Sequence, residues 1–146
     1  VEAYLAQELF SPVKQEYLGG AIYRRPTERF YYPDASVIGR SNPANEYFQD
    51  EPVVVAEVLS NSTRRLDEGE KKDAYLTIPS LAVYLLVEQA TARIVVYRRA
   101  DRSFVAEVYE GLDAIVRLSE IETELPLADV FDGVSFHPEP VEDNLR

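Results

Sequence analysis

The sequence predicts a single α/β domain built on one mixed β-sheet flanked by helices. Three observations carry this. The patterns along the chain run helix, strands, helix, strands. The run Pro52-Val53-Val54-Val55-Ala56-Glu57-Val58-Leu59-Ser60 is apolar and rich in β-branched residues, as in a strand buried on both faces. Hydrophobic residues make up 46% of 146, enough for one domain with a real core.

Each element follows from local chemistry. Glu2 to Phe10 reads as a short helix, with Tyr4, Leu5 and Leu9 at roughly helical spacing and Ser11-Pro12 after them. Gly19-Gly20 is a turn, and Ala21 to Arg24 begins a strand. Arg25-Pro26-Thr27 interrupts it before Phe30-Tyr31-Tyr32 resumes extended structure. Asp34 to Ile38 is a second strand. Gly39 to Glu51 is polar and reads as a loop. Val53 to Leu59 is the strongest strand. Ser60-Asn61-Ser62-Thr63 supplies N-cap candidates for a helix from Arg64 to Thr77, with Leu66, Ala74 and Ile78 inward and Pro79 ending it. Strands at Ala82 to Glu88, Arg93 to Arg99 and Ser103 to Glu110 follow, with Ala114 to Leu118 as a further edge strand and Leu127 to Phe131 as a short helix. The domain is expected over 1–138, with a polar tail at 139–146.

Composition removes whole classes of chemistry. Cysteine is absent, which excludes disulfides, thiolate metal sites and a cysteine nucleophile. The sole histidine, His137, lies in the polar tail, so histidine-rich metal sites and Ser-His-Asp triads are not expected. No apolar stretch is long enough to span a bilayer and none reads as a signal peptide, so a cytoplasmic location is expected. Methionine is absent, an initiator included, and the sequence is expected to be less than a complete gene product. The net charge of −11 argues against a broad nucleic-acid-binding face and leaves room only for a local basic groove.

What remains is carboxylate and lysine chemistry. Asp34 and Glu57 fall on neighbouring strand candidates, and Lys71 falls on the helix that follows. Two carboxylates with an ammonium nearby can hold a divalent metal and a water against a phosphodiester. Each residue also has a plainer reading. Asp34 after Pro33 can cap a turn. Glu57, at the end of a buried strand, needs a partner, and a structural salt bridge with an arginine would supply one. Asp67 and Lys71 can form a surface i, i+4 pair. Lys72 points about 100° away from Lys71 on a helix. Tyr75 either packs in the core or fixes the lysine. Glu16 is a lone extra carboxylate. Arg64 and Arg65 are phosphate contacts or exposed charges.

Three segments taken together resemble the Uma-two family of the PD-(D/E)XK nuclease superfamily. They are Tyr32-Pro33-Asp34, Val55-Ala56-Glu57-Val58-Leu59-Ser60-Asn61-Ser62-Thr63, and Asp67-Glu68-Gly69-Glu70-Lys71-Lys72-Asp73-Ala74-Tyr75. Tyr84-Leu85-Leu86-Val87-Glu88 resembles the family's next strand, and Lys14-Gln15-Glu16-Tyr17-Leu18-Gly19-Gly20 its opening. The likeness runs to about Arg99. Asn61 replaces a usual proline, Leu85 stands where a tryptophan is common, and the stretch from Tyr23 to Phe30 is shorter than in the family.

The resemblance implies a restriction-endonuclease-like fold and a metal-dependent endonuclease acting on DNA. Asp34 and Glu57 would bind Mg²⁺ (or Mn²⁺), and a backbone carbonyl near Val58 would add a ligand. The superfamily's lysine, two residues after the glutamate, is Leu59 here. The resemblance implies that Lys71 takes its place and assists the attacking water, with Glu16, Asp67 and Tyr75 in support. A homodimer is expected by the same analogy. Two alternatives stay open: a non-catalytic dimeric interaction module that keeps the fold, and a hydrolase of small phosphoesters.

Overall fold

The computed structural model describes residues 21–24, 29–39, 48–60 and 67–136. The expected N-terminal helix, Glu16, the Gly19-Gly20 turn, the caps Asn61 to Thr63, Arg64, Arg65, His137 and the tail lie outside these residues.

In chain order the elements are β1 (Ala21–Arg24), β2 (Arg29–Tyr31), β3 (Ala35–Ile38), β4 (Phe48–Gln49) and β5 (Pro52–Val58). A π-helical turn (Asp67–Lys71) then runs into α1 (Lys72–Leu76). After it come β6 (Val83–Val87), β7 (Arg93–Ala100), β8 (Ser103–Glu110), β9 (Ile115–Leu118), a 3-10 turn (Ser119–Ile121), β10 (Thr123–Pro126) and α2 (Leu127–Val130).

The main sheet has the order β3-β5-β6-β7-β8. It is mixed, as expected. β5 and β6 are parallel, with Glu57 paired to Leu86, and every other pairing is antiparallel. Parallel neighbours cannot be joined by a hairpin, so the chain crosses over between them. That crossover carries the π turn and α1. Pro52 is tolerated because it opens its strand, where a ladder hydrogen bond is least needed.

Strand periodicity divides the core between the two faces of the sheet. Val54, Ala56 and Val58 of β5 join Val83, Leu85 and Val87 of β6 on one face, all nearly or fully buried. Val55, Leu59, Tyr84 and Leu86 lie on the other face, packed with Ile22 of β1, Tyr75 of α1, Ile78 and Leu81. Each such buried side chain contributes about 1.5–3 kcal/mol, so both covers are strongly held. α1 and β1 cover the second face, which is also the face to which Glu57 points.

The cover of the first face differs from expectation. Ala114 to Leu118 was expected to extend the sheet edge. Instead β9 pairs antiparallel with β10, Leu118 opposite Thr123 and Ile115 opposite Pro126, in a separate two-stranded ribbon. The reason is one-sided burial. Val116 and Leu118 are buried while Ile115 and Arg117 are exposed, a pattern that suits a ribbon laid over a sheet. α2 completes this cover through Leu127 and Val130. Arg98 of β7 pins the ribbon down. It hydrogen-bonds Glu107 on β8, Glu120 on the 3-10 turn and the Arg117 carbonyl. Burial opposes the Arg98 charge, but the hydrogen bonds and charges of Glu120 and Glu107 outweigh it and hold its pKa above the ordinary value.

β10 and β4 had no counterpart in the sequence reading. β4 lies within the stretch read as loop and pairs parallel with β1, Ile22 opposite Gln49. Among the described residues no helix is long and apolar enough to cross a membrane.

Candidate active site

The site is assembled where β3 begins and β5 ends. The antiparallel register pairs Ala35 with Ala56 and Ser36 with Val55. Asp34 and Glu57 each lie one residue beyond the Ala35–Ala56 pair, where the ladder ends. The two carboxylates therefore belong to one locus although they are 23 positions apart in sequence. Asp34 is fixed there by the backbone: the Val58 N–H donates to its Oδ2 at 2.7 Å.

Glu57 is almost completely buried, at 2% exposure. A lone buried carboxylate is costly, and the crossover supplies its partners. The Lys71 ammonium donates to Glu57 Oε1 at 2.9 Å. The Tyr75 hydroxyl donates to the same oxygen at 3.3 Å. Lys71 and Tyr75 are four apart, so they lie on one side of the helical segment, both facing the end of β5. The salt-bridge reading of Glu57 is correct in kind, with the lysine as partner rather than an arginine. A π turn ending at Lys71 is a second signal, because such turns recur at functional sites.

Lys71 and Lys72 separate as helical geometry requires. Lys72 Nζ lies 5.0 Å from the centroid of the Tyr97 ring, over its face, and not at Glu57. The rings of Tyr31, Tyr75 and Tyr84 pack in sequence, tilted against one another, with centroids 5.3 and 5.5 Å apart. They hold the Tyr75 hydroxyl in place. Tyr75 packs in the core, the first of its two sequence readings, and its hydroxyl reaches Glu57.

The structure brings together Asp34, Glu57, Lys71 and Tyr75. Asp67 lies in the backbone of the π turn, but its side chain is outside the described set, as are Glu16, Arg64 and Arg65. Among the described residues no group of three or more Asp, Glu, His or Cys is gathered as a complete metal cage. The Val58 N–H as the anchor of Asp34 was missed by sequence reasoning, since a backbone donor leaves no trace in side-chain identity.

Comparison with known proteins agrees with this architecture. The Uma2 family model, described as "Putative restriction endonuclease", matches residues 1–128. An uncharacterized protein of Synechocystis sp., sll1609, is 33% identical over 97 residues, which are 64% of this chain and 55% of that protein. The chain spans about half the length of this curated relative. The crystal structure of "a putative nuclease belonging to DUF820" from Anabaena variabilis ATCC 29413 superposes with a TM-score of 0.67. That likeness covers 88% of this chain and 74% of that one, at 17% identity, and it speaks to the fold. A match that takes in Asp34, Glu57 and Lys71 together, over a mixed sheet of this order, places the chain in the Uma2 family with a restriction-endonuclease-like fold.

Proposed function

We propose that this protein is a metal-dependent endonuclease that hydrolyses DNA phosphodiester bonds at Asp34, Glu57 and Lys71. The observation that carries the reading is the Lys71–Glu57 contact of 2.9 Å, made beside a second carboxylate that a backbone N–H holds in place. The donor set suits Mg²⁺, a hard cation that takes oxygen ligands, keeps several waters and needs only one or two protein carboxylates. When bound, Mg²⁺ supplies charge neutralisation at the phosphate and lowers the pKa of water.

The residues of the chain do the remaining work. Glu57 presents its oxygens from β5, and Asp34 presents its own from the residue just before β3, anchored to β5 through the Val58 N–H. Tyr75 and Val58 orient one oxygen of each. Lys71, with 17% of its side chain exposed, joins the buried carboxylate to solvent. Its ammonium can donate to an attacking water and stabilise charge developing on the phosphate. Arg64 and Arg65, which precede the π turn in sequence, would add positive charge for the DNA backbone, against a net charge of −11.

One observation favours a second reading, a non-catalytic module. Glu57 Oε1 already receives two donors from within the chain, so the carboxylate is stable without an ion. Mn²⁺ calorimetry separates the two. The nuclease reading expects binding that is lost in both Asp34→Ala and Glu57→Ala, with metal-dependent nicking of supercoiled plasmid that is lost in Lys71→Ala. Wild-type protein that neither binds Mn²⁺ nor nicks DNA would refute it in favour of the module.

A further inference from the structure

We propose that the outer edge of β8, which no described strand pairs, joins β8 of a second copy of this chain, forming a two-fold symmetric dimer with one continuous sheet. This stands apart from the nuclease reading and rests on different residues.

Among the described residues β8 has a neighbour, β7, on one side only. It is eight residues long, Ser103–Glu110, and carries neither proline nor lysine; its two charges, Glu107 and Glu110, are paired within the chain to Arg98 and Arg93. Val105 and Val108 are each 53% exposed. Long unprotected edges of this kind are templates for pairing with another strand, and natural proteins normally block them.

The direction of the backbone groups along the edge follows from the ladder. The Gly111 N–H donates to the Ala92 carbonyl at 2.9 Å, one step beyond the Arg93–Glu110 pair and in the same register. Backbone groups alternate in direction along an antiparallel strand. The odd positions 103 to 109 therefore bond β7. The N–H and C=O groups of Arg102, Phe104, Ala106, Val108 and Glu110 point outward.

A two-fold axis normal to the sheet relates such edges only in registers that keep paired side chains on one face. With the axis at Ala106, Ala106 meets the partner's Ala106 and Phe104 meets the partner's Val108. Arg102 meets the partner's Glu110, and symmetry repeats each pair. On this face the register joins small to small, apolar to apolar, and opposite charge to opposite charge at both ends; on the other face Val105 meets the partner's Glu107 and Ser103 the partner's Tyr109. Moving the axis to Glu107 sets Glu107 against the partner's Glu107 and Phe104 against the partner's Glu110, and moving it to Val105 leaves Arg102 opposite the partner's Val108, so of the three only the first pairs opposite charges. The occupant is a second copy because the strand is complementary to itself.

The test is sedimentation velocity combined with amide hydrogen exchange on the full chain. Wild type should sediment at twice the 16.6 kDa monomer mass, with the outward amides of Phe104, Ala106, Val108 and Glu110 protected. Ala106→Pro removes two interchain hydrogen bonds per dimer and none to β7, so it should weaken dimerisation about tenfold or more. The inward amides of Val105, Glu107 and Tyr109 should stay protected, showing that the variant is folded. Arg102→Glu, on an exposed turn, should weaken the dimer several-fold by setting like charges against the partner's Glu110. A monomeric wild type overturns the proposal. So does a dimer indifferent to both substitutions, or a monomer whose outward amides are protected by another segment.

Discussion

The Lys71–Glu57 pair should respond asymmetrically to loss of either member. The Glu57 side chain is 3% exposed and that of Lys71 17%. Lys71→Met removes the ammonium and leaves a carboxylate in the interior, a change that costs about 3–5 kcal/mol in buried pairs. The Tyr75 hydroxyl still donates to Glu57 and the site borders solvent, so about 3 kcal/mol is expected here. Glu57→Gln is gentler. An amide oxygen can still accept from Tyr75, and the flexible lysine stem can carry its charge into water, so about 1 kcal/mol is expected. The double variant carries no stranded charge and should be only about 1 kcal/mol less stable than wild type, a coupling of about 3 kcal/mol. Urea unfolding followed by linear extrapolation reads these values, provided the slope is unchanged. A Glu57→Gln variant as unstable as Lys71→Met, or additivity in the double variant, would show that Lys71 does not balance the buried charge.

Other consequences follow from the same contacts. Lys71→Met should bind Mn²⁺ more tightly than wild type, because a competing cation is gone, while plasmid nicking is lost; calorimetry and gel assays read the two separately. Asp34→Asn keeps an acceptor for the Val58 N–H and should stay within about 1 kcal/mol of wild type, whereas Asp34→Ala orphans that donor and should cost about 1–3 kcal/mol; both should lose Mn²⁺ binding. Tyr75→Phe should cost about 1 kcal/mol in a urea titration, since the ring packing survives and one hydrogen bond does not. Arg98→Met should destabilise by about 2 kcal/mol, with faster amide exchange in β9 and β10 than in β5 and β6, because the ribbon loses its clamp.

The main sheet was readable because its strands are long and their chemistry is local. The β-branched run of β5 and the β7–β8 hairpin, with its two-residue turn at Asp101-Arg102, announce themselves within a few residues. β10 did not, because Thr123-Glu124-Leu125-Pro126 is short and ends in proline. β4, at two residues, is a consequence of its partner β1 rather than of its own sequence. The destination of β9 was hidden for a related reason: alternation says that one face is buried, but not against what. The site divides in the same way. Glu57 was conspicuous as a charge in an apolar strand, and Lys71 and Tyr75 by their four-residue spacing. The approach of Asp34 to Glu57 was expected from neighbouring strand candidates, whereas the Val58 N–H that anchors Asp34 at the end of β5 was not, because a backbone donor is the same for every residue type.

The two carboxylates do not ride on equally firm supports. Glu57 belongs to β5, held by neighbours on both sides. Asp34 immediately precedes β3, four residues long and, among the described residues, bonded within the main sheet to β5 alone. Edge segments open at lower free energy than the interior of a sheet. An ion shared by Asp34 and Glu57 would therefore fasten a fraying strand to a stable one. At an ion concentration a hundred times its dissociation constant, the opening of β3 would become harder by about 2.7 kcal/mol. The exchange rates of the β3 amides, followed as ion is added, would then serve as a binding gauge that needs no substrate.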